Sequence, residues 1–216
     1  MGKPLRVLIV DDSQNDTLLI TRELQRNGYD LMVERVDTPA AMTAALEKQT
    51  WDIVIADYIM PYFSGPDALK LLQGSGLDLP FIVVSGKIGE DVAVAAMKAG
   101  AHDYIMKDNF TRLAATVERE LHEAEVRRER KRAEEKLRHA AEEWTTTFDS
   151  ITDMVSIQDK YFRLTRVNKA YADVLKMKPQ DLIGKTCYEV LHGTKEPIPN
   201  CPHKQTLETK KPAMVD

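Results

Sequence analysis

Cysteine is nearly absent: Cys187 and Cys201 are the only two in 216 residues, which excludes a disulfide framework. Glycine and proline number 10 each, too few for a collagen-like or low-complexity chain. No apolar stretch approaches the ~20 residues needed to cross a bilayer; the longest early run, Val7-Leu8-Ile9-Val10, has the length of a strand. The first residues carry no apolar core of a secretory signal before acidic residues appear, so a cytoplasmic location without membrane attachment is expected. Nor does one sign of charge dominate. Thirty Lys and Arg against 34 Asp and Glu leave a net charge of −4, which argues against a general nucleic-acid binder. What is present is ordinary for a folded chain, 43% hydrophobic and 30% charged, with length for one large domain or two small ones.

Over the first ~110 residues, short apolar runs alternate with amphipathic stretches. The runs Arg6–Val10, Leu31–Val36, Ile53–Ala56, Phe81–Val84 and Asp103–Met106 read as strands. Three of them are nearly continuous Val, Ile and Leu, the pattern of parallel strands buried on both faces. Helical spacing occupies Asn15–Asn27, Pro39–Lys48, Pro66–Gln73 and Asp91–Ala99. Pro39 and Pro66 suit first turns, and Gly28 and Gly100 fall where a left-handed residue ends a helix. The alternation predicts a doubly wound α/β domain with a five-stranded parallel sheet.

The composition then changes. Between Glu123 and Arg138, 12 of 16 residues are charged, with no Gly or Pro. Glu123→Arg127 and Glu134→Arg138 are i,i+4 pairs in the favourable orientation, and a long exposed helix is expected to continue from the α/β domain. Its apolar stripe is sparse: Leu113, Val117, Leu121 and Ala124, then Ala133, Leu137, Ala140, Trp144 and Phe148. Two readings compete, a solvated linker and a parallel dimer helix; so polar a helix lacks a packing partner of its own, which favours the dimer. After Trp144, strands are expected at Met154–Gln158 and Phe162–Val167, then helices at Asn168–Met177 and Pro179–Ile183. A Pro-rich loop from Glu196 to Pro202 and a helical run at His203–Lys210 complete a small α+β unit. Cys187, His192, Cys201 and His203 fall within 17 residues, but their spacing matches no zinc pattern and reads as a structured turn.

In a doubly wound sheet, functional groups collect at the carboxyl ends of the strands near the point where strand order reverses. There the first strand ends in Asp11-Asp12, the third in Asp57, the fourth in Ser85-Gly86 and the fifth in Lys107. Taken singly, each such residue is ordinary, an Asp after a strand being more often a turn former. Together, three carboxylates repel unless a cation lies between them, and hard oxygen ligands suit Mg²⁺. A hydroxyl and an ammonium across the same pocket suit an added phosphoryl group.

These stretches, together with Ile55-Ala56-Asp57-Tyr58-Ile59-Met60-Pro61, Ile82-Val83-Val84-Ser85-Gly86 and Gly100-Ala101-His102-Asp103-Tyr104-Ile105-Met106-Lys107, make residues 1 to about 120 resemble a receiver domain of a two-component response regulator. The resemblance implies a flavodoxin-like fold and transfer of a phosphoryl group from a partner kinase's histidine to Asp57. It implies Mg²⁺ held by Asp12, Asp57 and the Ile59 carbonyl, with Asp11 acting through water, and phosphoryl oxygens bound by Ser85 and Lys107. Ser85 and Tyr104 match the family's switch pair. One departure is that Asp108 stands where the family usually has a proline, often cis, with Asn109 as a candidate helix cap.

From about Trp144 the chain resembles the beginning of a PAS domain, through Phe148-Asp149-Ser150-Ile151-Thr152-Asp153, Asp159, Phe162-Arg163-Leu164-Thr165-Arg166-Val167-Asn168-Lys169-Ala170-Tyr171 and Leu182-Ile183-Gly184-Lys185. That family's three long strands are expected after Lys211, whereas the sequence runs to Asp216, so a truncated PAS portion with unknown ligand is expected. The expected organisation is a receiver over 1–120, a helical connector over 109–147 and a PAS portion over 148–216. The expected function is phosphorelay signalling from a histidine kinase or phosphotransfer protein to an output outside this sequence, as at the front of a hybrid histidine kinase. The expected assembly is a homodimer through the 113–148 helix. The alternatives are an unphosphorylated pseudo-receiver serving as a scaffold and a Mg²⁺-dependent phosphatase with an Asp nucleophile. Phosphatases of that kind place Asp-x-Asp after the first strand, unlike the adjacent Asp11-Asp12.

Overall fold

The computed structural model describes residues 2–86 and 90–214; Met1 and the last two residues of the expected PAS portion lie outside them. Residues Met1–Arg132 and Ala133–Asp216 form two compact units.

In the first unit, strands β1 (Lys3–Val10), β2 (Tyr29–Val36), β3 (Ile53–Asp57), β4 (Phe81–Ser85) and β5 (Asp103–Met106) make one sheet in the order β2-β1-β3-β4-β5. Every pairing is parallel. Helices α1 (Gln14–Arg26), α2 (Pro39–Lys48), α3 (Gly65–Ser75) and α4 (Glu90–Lys98) connect the strands. The period-two alternation of each strand sorts its side chains into two cores. Leu8, Val10, Val54, Ala56, Phe81 and Val83 pack with Met42, Leu69 and Leu72 on the α2–α3 side. Val7, Ile9, Ile53, Ile55, Ile82 and Val84 pack with Ile20, Leu24, Leu113 and Val117 on the other. Apart from Ala56, each of these apolar side chains contributes roughly 1.5–3 kcal/mol on leaving water. The doubly wound fold is therefore as expected.

The punctuation also follows the sequence. Ser13, Thr38 and Ser64 cap α1, α2 and α3 with their hydroxyls, and Gly28 and Gly100 take φ of 87° and 102°. Asn109 is a correction. It precedes a 3-10 turn (Phe110–Arg112) without capping it, because its Oδ1 accepts the Thr111 hydroxyl at 2.7 Å instead. No cis peptide bond occurs among the described residues.

Helix α5 runs Leu113–Ser150. Its first turns complete the first unit, with Leu113 and Val117 fully buried. The expected Glu123–Arg127 pair gives way to a longer-range one. Arg127 reaches Asp78 at 3.2 Å, and Arg119 rather than Arg127 lies 4.0 Å from Glu123. A helix packed on a sheet offers its cations partners that its own sequence does not contain. Further along, Leu137 is 73% exposed, and Arg138 pairs with Glu142 at 3.0 Å.

The second unit holds an antiparallel pair, β6 (Ser156–Gln158) and β7 (Leu164–Val167). Four short helices follow: α6 (Lys169–Leu175), α7 (Pro179–Leu182), α8 (Cys187–His192) and α9 (Pro202–Thr209). β6 starts later than expected, because the Val155 N–H is taken by the Asn168 side chain rather than by a ladder. The α8 helix is a correction, because the segment holding Cys187 and His192 reads as a structured turn, whereas it forms a helix with Cys187 buried. Both cysteines are free and buried, and His203 Nε2 lies 3.1 Å from the Asp159 carbonyl, tying that ring to the backbone.

Candidate functional site

The strand order reverses between β1 and β3, which both pair with parallel neighbours on either side. The carboxyl ends of β1, β3, β4 and β5 therefore open onto one edge, where the loop residues are free to converge. Register sets the levels: Asp57 pairs with Val84, and Ser85 pairs with Met106. The Lys107 amide donates to the Ser85 carbonyl at 2.8 Å. The sheet thus delivers Asp11, Asp12, Asp57, Ser85 and Lys107 to the same edge, as their order in the sequence predicts.

Side-chain oxygens of Asp11, Asp12 and Asp57 lie within 4.8 Å of one another, with Asp11 and Asp57 buried and Asp12 exposed. Asp57 is 7% exposed, and its Oδ1 accepts the Ile59 amide at 3.3 Å. Lys107 extends into the cluster. Its ammonium donates to Asp57 Oδ2 at 2.8 Å and lies 3.5 Å from Asp11 Oδ2. Gly86 lies beside its stem, where an added Cβ would sit 3.8 Å from Lys107 Cδ. Ser85 is buried at the end of β4. Tyr104 is partly buried against the α2–α3 core, with its hydroxyl 3.3 Å from Met106 Sδ.

Burial dominates the electrostatics. It pushes the Asp11 carboxyl up to about 6, although the Ser13 amide at 2.7 Å and the Lys107 charge pull the other way. For Lys107, burial alone would lower the pKa, but hydrogen bonds to Asp16 and Asp57 and the charges of Asp11 and Asp57 outweigh it. The ammonium is held above the ordinary lysine value. Three converging carboxylates, one exposed to solvent, form an acidic pocket of the kind that fits Mg²⁺, a cation that keeps several waters and takes few protein oxygens.

Two residues that the sequence reading did not single out shape this site. Asp16, in the first turn of α1, accepts from Lys107 at 2.5 Å; the only signal in the sequence is its position three residues after the capping Ser13. Gly65 opens α3 against the end of β3, and any Cβ there would lie 2.6 Å from the Asp57 carbonyl oxygen. Only glycine lets the helix start that close to Asp57. A larger cleft of about 530 Å³, lined in part by Pro4, Arg6 and Met32, lies at the opposite, amino end of β1 and β2. Carboxylate geometry, and not concavity, marks the site.

Comparison with known proteins agrees with this geometry. The response regulator receiver domain description matches residues 7–118, and a PAS fold description matches residues 148–214. The response regulator MprA of Mycolicibacterium vanbaalenii is 32% identical over 104 residues, covering 48% of this chain and 44% of that protein. A protein-glutamate methylesterase/protein-glutamine glutaminase of Rhodospirillum centenum is 34% identical over 125 residues, 56% of this chain and 32% of that protein. The matched stretch thus spans less than half of either relative. Among solved structures, the signal receiver domain of a Luxo repressor protein from Vibrio parahaemolyticus is similar at 27% identity and a TM-score of 0.50. That likeness covers 57% of this chain and 95% of the other. With its parallel sheet, its acidic edge and a match over more than half its length, this chain belongs to the response regulator receiver family and carries a PAS-type fold after the receiver.

Proposed function

We propose that this chain accepts a phosphoryl group on Asp57 from the phosphohistidine of a histidine kinase or phosphotransfer protein. The receiver (1–120) would then signal through the connector (109–147) to the PAS portion (148–216) and to an output beyond this sequence. The single observation that carries the reading is the pairing of Asp57 with Lys107 at 2.8 Å inside a cluster of three carboxylates. In the transfer, an Asp57 carboxylate oxygen attacks phosphorus and the P–N bond to histidine breaks. The ring nitrogen keeps that electron pair, and no proton has to leave the nucleophile. What the protein supplies is position and charge. The Ile59 amide and Lys107 orient the Asp57 carboxylate, and Lys107 and the Ser85 hydroxyl bind phosphoryl oxygens. Asp11, Asp12, Asp57 and the Ile59 carbonyl are the residues that would hold Mg²⁺, which supplies neutralisation of charge on the transferring group.

A phosphoryl group adds about −1.5 to −2 of charge next to Ser85, one strand away from Tyr104 across the β4–β5 pairing. That is the local change by which Ser85 and Tyr104 would bias two arrangements of this face. Downstream, α5 leaves Leu137 and Trp144 exposed at 73% and 39%. A second copy of the helix would cover such a stripe, and homodimerisation through it is part of the proposal.

The test is intact-protein mass after incubation with Mg²⁺ and acetyl phosphate, with Asp57→Asn alongside. A single phosphoryl adduct in the wild type and none in the variant is the expected result. Equal labelling of both proteins contradicts the assignment. The absence of labelling, even from a phosphohistidine donor, leaves a scaffold in its place.

A further inference from the structure

Asp16 stands outside the converging group of Asp11, Asp12 and Asp57, yet it makes the shortest contact Lys107 has. Its Oδ2 is 2.5 Å from the ammonium, against 2.8 Å for Asp57 and 3.5 Å for Asp11. Helix-start chemistry explains how it comes to be available. Ser13 caps α1 and Asp16 is the third helical residue. In a Ser-x-x-acid start, that carboxylate ordinarily turns back to accept the cap residue's own N–H. Here the Ser13 N–H donates to Asp11 Oδ1 at 2.7 Å. The Asp16 carboxylate is left without that duty and extends to the other side of the pocket, where it meets the end of β5.

An ammonium has three N–H donors, and Asp11, Asp16 and Asp57 draw on all three. A phosphoryl group bonded to Asp57 must recruit at least one of them. The donor aimed at Asp57 is released when that carboxylate becomes an acyl phosphate; the one aimed at Asp16 is not. The Asp16 charge also lies well within a Debye length of ~10 Å from where an anionic donor must dock.

We propose that Asp16 is a positioning residue that competes with the phosphoryl group for Lys107 and slows phosphoryl uptake by Asp57. The proposal rests on the reading of Asp57 as phosphoacceptor. A merely structural role, as a favourable negative charge at the start of α1, would alter stability but would not make the ratio of variant to wild-type uptake rates depend on ionic strength.

The experiment follows adduct formation over time by intact mass, with acetyl phosphate and Mg²⁺, at low and high salt. Wild type, Asp16→Asn, Asp16→Glu and Asp57→Asn are compared, with Asp16→Gln as a second uncharged variant against a packing defect. Asp16→Asn and Asp16→Gln are expected to label about 3–10-fold faster at low salt, with the advantage shrinking as salt screens the lost charge. Asp16→Glu, which retains the charge, should give back most of that difference. If the wild type labels and both uncharged variants label no faster at either salt, the competition by Asp16 is refuted while Asp57 stands. If the wild type itself fails to label from either donor class, the phosphoacceptor reading falls, and the role of Asp16 falls with it.

Discussion

Lys107 and Asp57 are 50 residues apart in sequence and 2.8 Å apart in space, and the pair is held where the carboxyl ends of β3 and β5 meet. With Asp11 and Asp16 also facing this ammonium, Lys107 is a shared counter-charge for three carboxylates. Replacing it by Met leaves those charges facing one another. Breaking a buried pair by removing one partner costs about 3–5 kcal/mol, and the 17% side-chain exposure of Lys107 reduces that to roughly 2–4 kcal/mol. Lys107→Met should therefore destabilise the first unit by this amount in urea at pH 7.5, and by clearly less at pH 5, where Asp11 takes up a proton. An equal loss at both values would show that packing, and not charge, is what Lys107 supplies.

Burial of Asp11 has the opposite sign. Its folded pKa of about 6 lies above the ordinary 3.8, so between these values the folded state holds a proton that the unfolded state has released. Stability contributed by this group is present below about pH 4, declines as pH rises through about 6, and stays lost above it. About two units correspond to roughly 3 kcal/mol. In the absence of divalent cations, Asp11→Asn is expected to be more stable than wild type at pH 7.5 by up to that amount, the gap closing towards pH 4. A variant no more stable than wild type at pH 7.5 would contradict this account.

In the second unit, Asn168 is fully buried and uses its whole hydrogen-bonding capacity. Its amide donates to the Ile151 and Asp153 carbonyls at 3.0 and 2.8 Å, and its oxygen accepts from the Val155 and Tyr171 amides at 3.0 Å each. The side chain thereby joins the end of α5 to the start of β6 and α6. Asn168→Ala strands four backbone groups, at about 1–3 kcal/mol for each that stays dry. Local opening should become easier by about 3 kcal/mol, roughly a hundredfold loss of amide protection over residues 151–172. Unchanged exchange would mean that water replaces the side chain without penalty.

The exposed stripe of α5 gives a separate expectation. If Leu137 faces its counterpart across a parallel pair, Leu137→Glu places two like charges at the seam. The dimer dissociation constant should then rise at least about tenfold, as read by sedimentation velocity. A wild-type chain that remains monomeric at tens of micromolar rules the helix out as a dimer contact.

Much of this protein is written in local pattern. Continuous Val and Ile runs specified strands buried on both faces, Pro39 and Pro66 marked first turns, and the order Asp11-Asp12, Asp57, Ser85, Lys107 anticipated one shared edge, because a doubly wound chain returns each strand to the same side. Whether the Asp16 carboxylate turns back to the Ser13 cap or outward to Lys107 depends on what Asp11 does to the Ser13 amide. Likewise Arg127 reads as a partner for Glu123 until α5 is packed, when Asp78 comes within 3.2 Å. Asn168 reads as the first residue of a helical stretch, although three of its four side-chain bonds go beyond that helix to residues 13–17 positions away. In the first unit the sequence by itself determined the strands and helices of the sheet, their order and the set of residues delivered to one edge, since propensity and periodicity act over a few residues. Only the tertiary structure decided which partner each polar group takes, because that choice is made through space among groups from different elements, and the closest satisfied geometry prevails.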